Sequence, residues 1–279
     1  MLESEAGGGP CSRPVLTARA HGPRPRTRPA GGASRWSPCA VRPGRGRAAA
    51  LRPGEPHPQA LELPGTVEDT AEEATALGGT GVAHVVDHAD DQAVADVFTR
   101  IAERHGGLDL LVANAFNGNA LPFGPGRFWE LPMENWANMV DAGLRSHLVT
   151  ARHAAPLLIE RSGLLVLTGY ALPEDGSGHA FYDLAMNGIS TLGASMARDL
   201  APHGVTTVTL SPGFTRTEAI VAAFGESPVP PGTDSVEHVG RVVVALWNDA
   251  AAARPAGRTV TVADLAQRYG ITRADGAPE

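Results

Sequence analysis

The stretch GLLVLTGYALPEDGSGHAFYDLAMNGISTLGASMARDLAPHGVTTVTLSPGFTRT, residues 163–217, decides the fold. LLVLT (164–168) and VTTVTL (205–210) read as buried strands, and a helix spans about 179–201 between them. A strand, a long helix and another strand form a βαβ unit, whose two strands run parallel. The same alternation extends outward. Residues 66–77 read as a helix with an acidic first turn, stopped by Gly78 and Gly79. GVAHVV (81–86) reads as a short strand, 91–105 as a helix with Val94, Val97, Phe98 and Ile101 on one face, and LDLLV (108–112) as a strand. Helical segments follow to about Arg161, and TVTV (259–262) is a last short strand. The expectation is an α/β domain with a doubly wound parallel sheet, which binds its ligand at the carboxyl ends of the strands.

Four features stand just beyond those ends. They are Asp87, then Asn114-Ala115, then Thr168-Gly169-Tyr170 with Tyr182 on the next helix, and then Ser211-Pro212-Gly213 running on to Thr217. A Pro-Gly after a strand is usually only a turn. Four such features at successive strand ends point to one crevice.

In this arrangement the sequence resembles the short-chain dehydrogenase/reductase family over about residues 66–279. LDLLVANAF (108–116) is similar to the family's strand ending in Asn-Asn-Ala-Gly, with Asn114 at its second Asn. The run from Phe181 to Ala219 is similar to its active-site helix, next strand and Pro-Gly-x-x-x-Thr loop. ALPFGPGRFWELP (120–132) and GRTVTVADLAQRYGITRADG (257–276) suit one branch of it. The resemblance implies a Rossmann-like fold that binds NAD or NADP and moves a hydride between nicotinamide and a carbonyl or alcohol. It implies that Asp87 holds the adenine amino group and that Asn114 and Ala115 line the ribose. Pro212, Gly213 and Thr217 would hold the nicotinamide side, and Tyr182 would protonate the carbonyl oxygen. On the residues alone, Asp87 could cap a helix and Tyr182 could be a core residue.

The chain departs from the family's catalytic set. The lysine expected four residues after the tyrosine is Met186, the serine 13 residues before it is Gly169, and the asparagine of the preceding helix is Gly143. All 23 basic residues are arginine, so no lysine chemistry of any kind is available. A lysine one turn along the helix shares the tyrosine's face and lowers its pKa; without it a phenol titrates near ~10 and is about one part in a thousand ionised at neutral pH. Thr168 is the candidate helper at the carbonyl oxygen, its plain reading being a strand-end threonine. His147 and His179 carry little weight as proton shuttles, and His84 with His88 lacks a third ligand at recognisable spacing, so no metal is expected.

Residues 1–60 differ from residues 61–279. They hold ten arginines against three acids, ten of the 23 prolines and both cysteines, Cys11 and Cys39. They read as a disordered or aberrant segment, so the N-terminal βαβ unit is expected to be degraded or absent. Gly44 and Gly46, followed by Ala48–Leu51, resemble the end of the family's glycine turn, but Ala40 replaces its first glycine and no apolar strand precedes it. NAD or NADP should therefore bind weakly. Off-frame translation of a GC-rich gene would produce this composition. The functional expectation is an impaired carbonyl reductase or alcohol dehydrogenase; the alternative is a non-catalytic binding protein of the same fold or a frame-disrupted gene product. The expected partners are a small carbonyl or alcohol substrate and further copies in a homodimer or homotetramer. Nucleic acid and membrane are not expected, and a cytoplasmic setting is.

Overall fold

The computed structural model describes residues 16–18, 66–116, 126–224, 232–249 and 255–273. The elements, in chain order, are β1 (Leu16–Ala18), α1 (Val67–Ala76), α2 (Asp91–His105) and β2 (Leu110–Ala113). A π-wound stretch, Trp136–Arg145, runs directly into α3 (Ser146–Arg161). Then come β3 (Leu164–Thr168), α4 (Ala180–Leu200), β4 (Thr206–Ser211), β5 (Thr215–Arg216), α5 (Glu218–Phe224), β6 (Asp234–Ser235), α6 (Val236–Asn248), β7 (Thr259–Thr261) and α7 (Val262–Tyr269).

The main sheet has the order β1-β2-β3-β4-β7, and β2 through β7 are parallel. β3 is central. Leu164 through Leu167 are fully buried, as a strand covered on both faces requires. Strand alternation divides the core in two. Leu111, Leu165 and Leu167 pack with α2, α3 and α4, while Leu110, Leu164, Val166, Val208 and Leu210 pack with α6 and α7. The result is the doubly wound α/β architecture expected from the sequence.

Local chemistry sets the helix ends. Thr66 and Asp69 form a reciprocal capping box at α1, with Asp69 Oδ2 accepting from Thr66 N at 2.7 Å. Asp90 Oδ1 accepts from the amides of Gln92 and Ala93 at the start of α2. Gly106, in the left-handed region at φ 66°, ends that helix. At Gly193 α4 lies directly on the Thr209 side chain, where a Cβ would collide with the hydroxyl. Gly193→Ala should overpack this contact and lower stability by about 1–3 kcal/mol, read as a shift in the urea midpoint.

Two features differ from the sequence expectation. The stretch 81–86 joins no ladder; Val86 is buried, but Val82 and Val85 are exposed. A strand needs a neighbour, and the free edge of β2 is taken by β1 instead. β1 itself was not anticipated, and it pairs antiparallel, Leu16 opposite Val112 and Ala18 opposite Leu110. β1 therefore runs from the carboxyl end of β2 toward its amino end. Residues Gly44 and Gly46 lie outside the described residues.

Candidate functional site

The registers bring three strand ends to one level: Ala113 lies opposite Leu167, and Thr168 opposite Leu210. Asn114-Ala115-Phe116, Thr168-Gly169-Tyr170 and Ser211-Pro212-Gly213 therefore emerge along one edge, in the order the sequence predicted.

Tyr182 sits in the first turn of α4, whose N-cap is His179; the His179 side chain accepts from the Tyr182 amide. The phenol ring is partly buried between Phe116, edge-on at 6.0 Å, and Tyr170, tilted at 6.1 Å between centroids. Burial, the neighbouring Tyr170 and the charge on Asp183 all push the Tyr182 pKa above the ordinary phenol value, burial most. One turn further, Met186 is buried in the core shared by α2, α3 and α4.

Strand alternation puts Thr168 and Tyr182 on opposite faces of the sheet. Gly169 N donates to Leu210 O at 2.9 Å, so the strand geometry of β3 continues through residue 169. Thr168 accordingly falls on the face of Val166 and Leu210, turned to α6 and α7. Gly169 falls on the α4 face. A Cβ there would stand 2.9 Å from Thr209 Cγ2 and 3.4 Å from Ile189 Cγ2, so the site has little room even for a serine.

Beneath the end of β2 lies a small cavity lined by His88, Asn114, Ala115, Ser146, His147 and Thr150. His88 and Thr150 are buried and meet at 3.3 Å through His88 Nδ1. His147 is fully buried. Its Nδ1 lies 2.7 Å from the Gly143 carbonyl oxygen, to which Ser146 Oγ also donates at 2.7 Å. The carbonyls of Gly143, Ala113 and Thr168 all favour the charged ring, but burial outweighs them and lowers its pKa. His147 thus ties the π-wound turn to the ends of β2 and β3 as a neutral group, away from solvent. As pH falls below the ordinary histidine value of ~6.5, the unfolded chain takes up this proton before the folded one does, so stability should fall on acidification. Urea midpoints near neutral and mildly acidic pH should differ less in His147→Gln than in the parent; an unchanged slope would remove His147 as its source.

The remaining expected positions are all placed locally. Asp87 Oδ1 accepts from the Ala89 amide at 2.9 Å, shaping the turn into α2. Gly213 has φ 72° and open space where a Cβ would stand. Thr217 Oγ1 accepts from the Ile220 amide at 3.4 Å, at the start of α5. His84 is half-buried, and its pKa is lowered by burial and by Arg100 and Arg104. Among the described residues no three His, Cys, Asp or Glu side chains converge as a metal site would need. Phe116, Tyr170 and Ser211 belong to the site without having been assigned a part in it. Their signal was position alone: four, two and one residues beyond the strand ends read from the sequence.

These residues fit a dinucleotide at its two ends. Asn114 and Ala115 border the cavity at the end of β2, and Gly213 leaves open backbone beyond β4. The turn that would cradle the pyrophosphate is not among the described residues.

Residues 61–263 match the protein family described as enoyl-(acyl carrier protein) reductase. The chain is 32% identical over 232 residues to mouse dehydrogenase/reductase SDR family member 1, covering 76% of this chain and 73% of that protein. A short chain dehydrogenase from Mycobacterium thermoresistibile superposes with a TM-score of 0.65 at 22% identity, over 77% of this chain and 75% of that one. A short chain dehydrogenase from Burkholderia cenocepacia J2315, solved in complex with NADP, gives a TM-score of 0.58 at 26% identity, over 70% of this chain and 80% of that one.

Proposed function

The chain belongs to the short-chain dehydrogenase/reductase family, and from that premise we propose that it is a nicotinamide-dependent carbonyl reductase. One observation carries the reading: a phenol, Tyr182, stands at the level of three parallel strand ends, beside Phe116 and Tyr170. Asp87, Asn114 and Ala115 would hold the adenosine, and Pro212, Gly213 and Thr217 the nicotinamide end. The bound reduced cofactor would supply a hydride to the carbonyl carbon. Tyr182 gives its proton to the carbonyl oxygen, the product is the alcohol, and the phenolate recovers a proton from water. An alkoxide is more basic than a phenolate, so a raised phenol pKa does not prevent this transfer. The reverse reaction needs a phenolate, which Tyr182 supplies to less than about one part in a thousand at neutral pH.

A second reading, a non-catalytic protein of the same fold, draws support from Met186, which leaves the family's lysine position apolar and buried. Isothermal titration of the full chain with NADH and with NADPH separates the two. The expected result is weak binding, micromolar or weaker, since a lost cradle removes charge-assisted hydrogen bonds of ~1.5–3 kcal/mol each. A sub-micromolar dissociation constant overturns the weak-binding expectation. No heat with either cofactor overturns the enzyme reading.

The proposal extends to assembly. Trp136, Leu148 and Leu184 are exposed on the π-wound stretch, α3 and α4, and a second copy would cover them. Light scattering should give a dimer or tetramer mass; a monomer at high concentration overturns this. Among the described residues no helix is long and apolar enough to cross a membrane. A cytoplasmic, reducing setting is part of the same proposal, since residues 61–279 contain no cysteine.

A further inference from the structure

We propose that Tyr170 is a second catalytic residue, whose hydroxyl joins that of Tyr182 in donating hydrogen bonds to the carbonyl oxygen of an uncharged substrate. The inference rests on the carbonyl reductase reading and assigns its missing second donor.

A carbonyl oxygen that becomes an alkoxide has lone pairs for more than one donor, and donors fixed before the reaction contribute most. Tyr182 is one. Residue 169 is glycine and has no side chain to offer, and the packing of Thr209 and Ile189 fills the space a side chain would need. Thr168 falls on the opposite face of the sheet. His147 and His179 are each fully buried and engaged with backbone, His147 at the Gly143 carbonyl and His179 at the Tyr182 amide. Tyr170 is different on every count. It follows the end of β3, is partly buried against the same core as Tyr182, and its ring lies 6.1 Å from the Tyr182 ring at 57°.

Its backbone is also fixed on both sides. Gly169 N donates to Leu210 O at 2.9 Å, and Ala171 N donates to the buried Ser211 Oγ at 3.0 Å. Tyr170 is thus clamped to the end of β4 and its ring is held beside Tyr182, which is the preorganisation a transition-state donor needs. Tyr170 is also among the groups that raise the Tyr182 pKa, after burial. Phe116 closes the other side of Tyr182, and Leu172 packs on the same core. These neighbours of the two phenols are aromatic and aliphatic, which suits an aromatic or alicyclic aldehyde or ketone better than an anionic one.

The test uses the full chain and its Tyr170→Phe, Tyr182→Phe and doubly substituted variants, with 4-nitrobenzaldehyde as probe and saturating NADPH or NADH. Tyr170→Phe should lower kcat about 10- to 100-fold and leave the cofactor dissociation constant unchanged. An alkaline absorbance titration of the tyrosines gives an independent reading without turnover. The chain has three, Tyr170, Tyr182 and Tyr269, and in Tyr170→Phe the most resistant of them should titrate at lower pH. If Tyr182→Phe is inactive but Tyr170→Phe turns over like the parent, Tyr170 is not catalytic and the carbonyl reductase reading stands. If the resistant titration is unmoved, the two hydroxyls do not share a site and the proposal is overturned. If the parent binds cofactor and reduces no carbonyl, the underlying reading fails and the proposal falls with it.

Discussion

Tyr182→Phe lowers carbonyl reduction by about 10²–10⁴-fold at saturating cofactor, the range that a well-placed general acid contributes. The substitution removes one hydroxyl and keeps the ring, so the edge-on contact with Phe116 and the packing against Tyr170 persist. Cofactor affinity should not change, because none of the positions assigned to the dinucleotide lies on α4. The loss should appear in kcat and in kcat/KM alike, as expected for an interaction made in the transition state. The pH profile adds a check on the environment of this phenol. Its pKa is raised, so the acid form persists across the neutral and mildly alkaline range, and reduction should show no alkaline limb attributable to Tyr182 below the ordinary phenol value of ~10. A profile falling from neutral pH would mean that another group supplies the proton.

The parts of the fold that were legible in the sequence are those whose signal is local. LLVL (164–167) is an unbroken apolar run, and β3 occupies it together with Thr168 because a strand buried on both faces needs apolar side chains on both. The helix at 91–105 is bounded by Asp90, which caps its first amides, and Gly106, which takes the left-handed turn that ends it. GVAHVV carries as good a strand pattern as LDLLV, yet only the second enters the sheet. Pairing depends on a neighbour, and the neighbour of β2 comes from residues 16–18, in a segment with no periodicity to read.

The site shows the same division. Tyr182 and the strand-end residues follow from element order, and the structure places them along one edge. Thr168 precedes the family's serine position, Gly169, by one residue. In a strand one residue is half a period, which carries a side chain to the other face. Continued alternation would put Tyr170 on the face of Thr168; it packs beside Tyr182 instead because it lies beyond the end of β3, where the chain leaves the strand period. The point at which the chain leaves that period has no signature in the sequence.

Met186→Lys should raise carbonyl reduction about 10-fold and lower the stability of the free chain, and the two effects have one cause. Met186 lies one turn along α4 from Tyr182 and is 6% exposed, packed in the core with Ile189 and Val149. A lysine there places an ammonium beside the phenol with little water around it. The charge stabilises the phenolate and so lowers the Tyr182 pKa from its raised value, moving the acid toward the pH at which it works. Removing that same charge from water costs about 1–3 kcal/mol, reduced to the extent that the long side chain carries its amine to the crevice. Bound cofactor should restore part of this stability by mass action, so the loss in urea midpoint should shrink when NADPH is added. Met186→Gln separates charge from polarity, because it is of similar length and neutral and should give no gain in rate. Tyr182→Phe in the lysine variant should erase the gain completely, since the ammonium acts through the phenol. If Met186→Lys binds cofactor and gains nothing, the site lacks more than one residue of its catalytic set, and the non-catalytic reading of this fold becomes the better one.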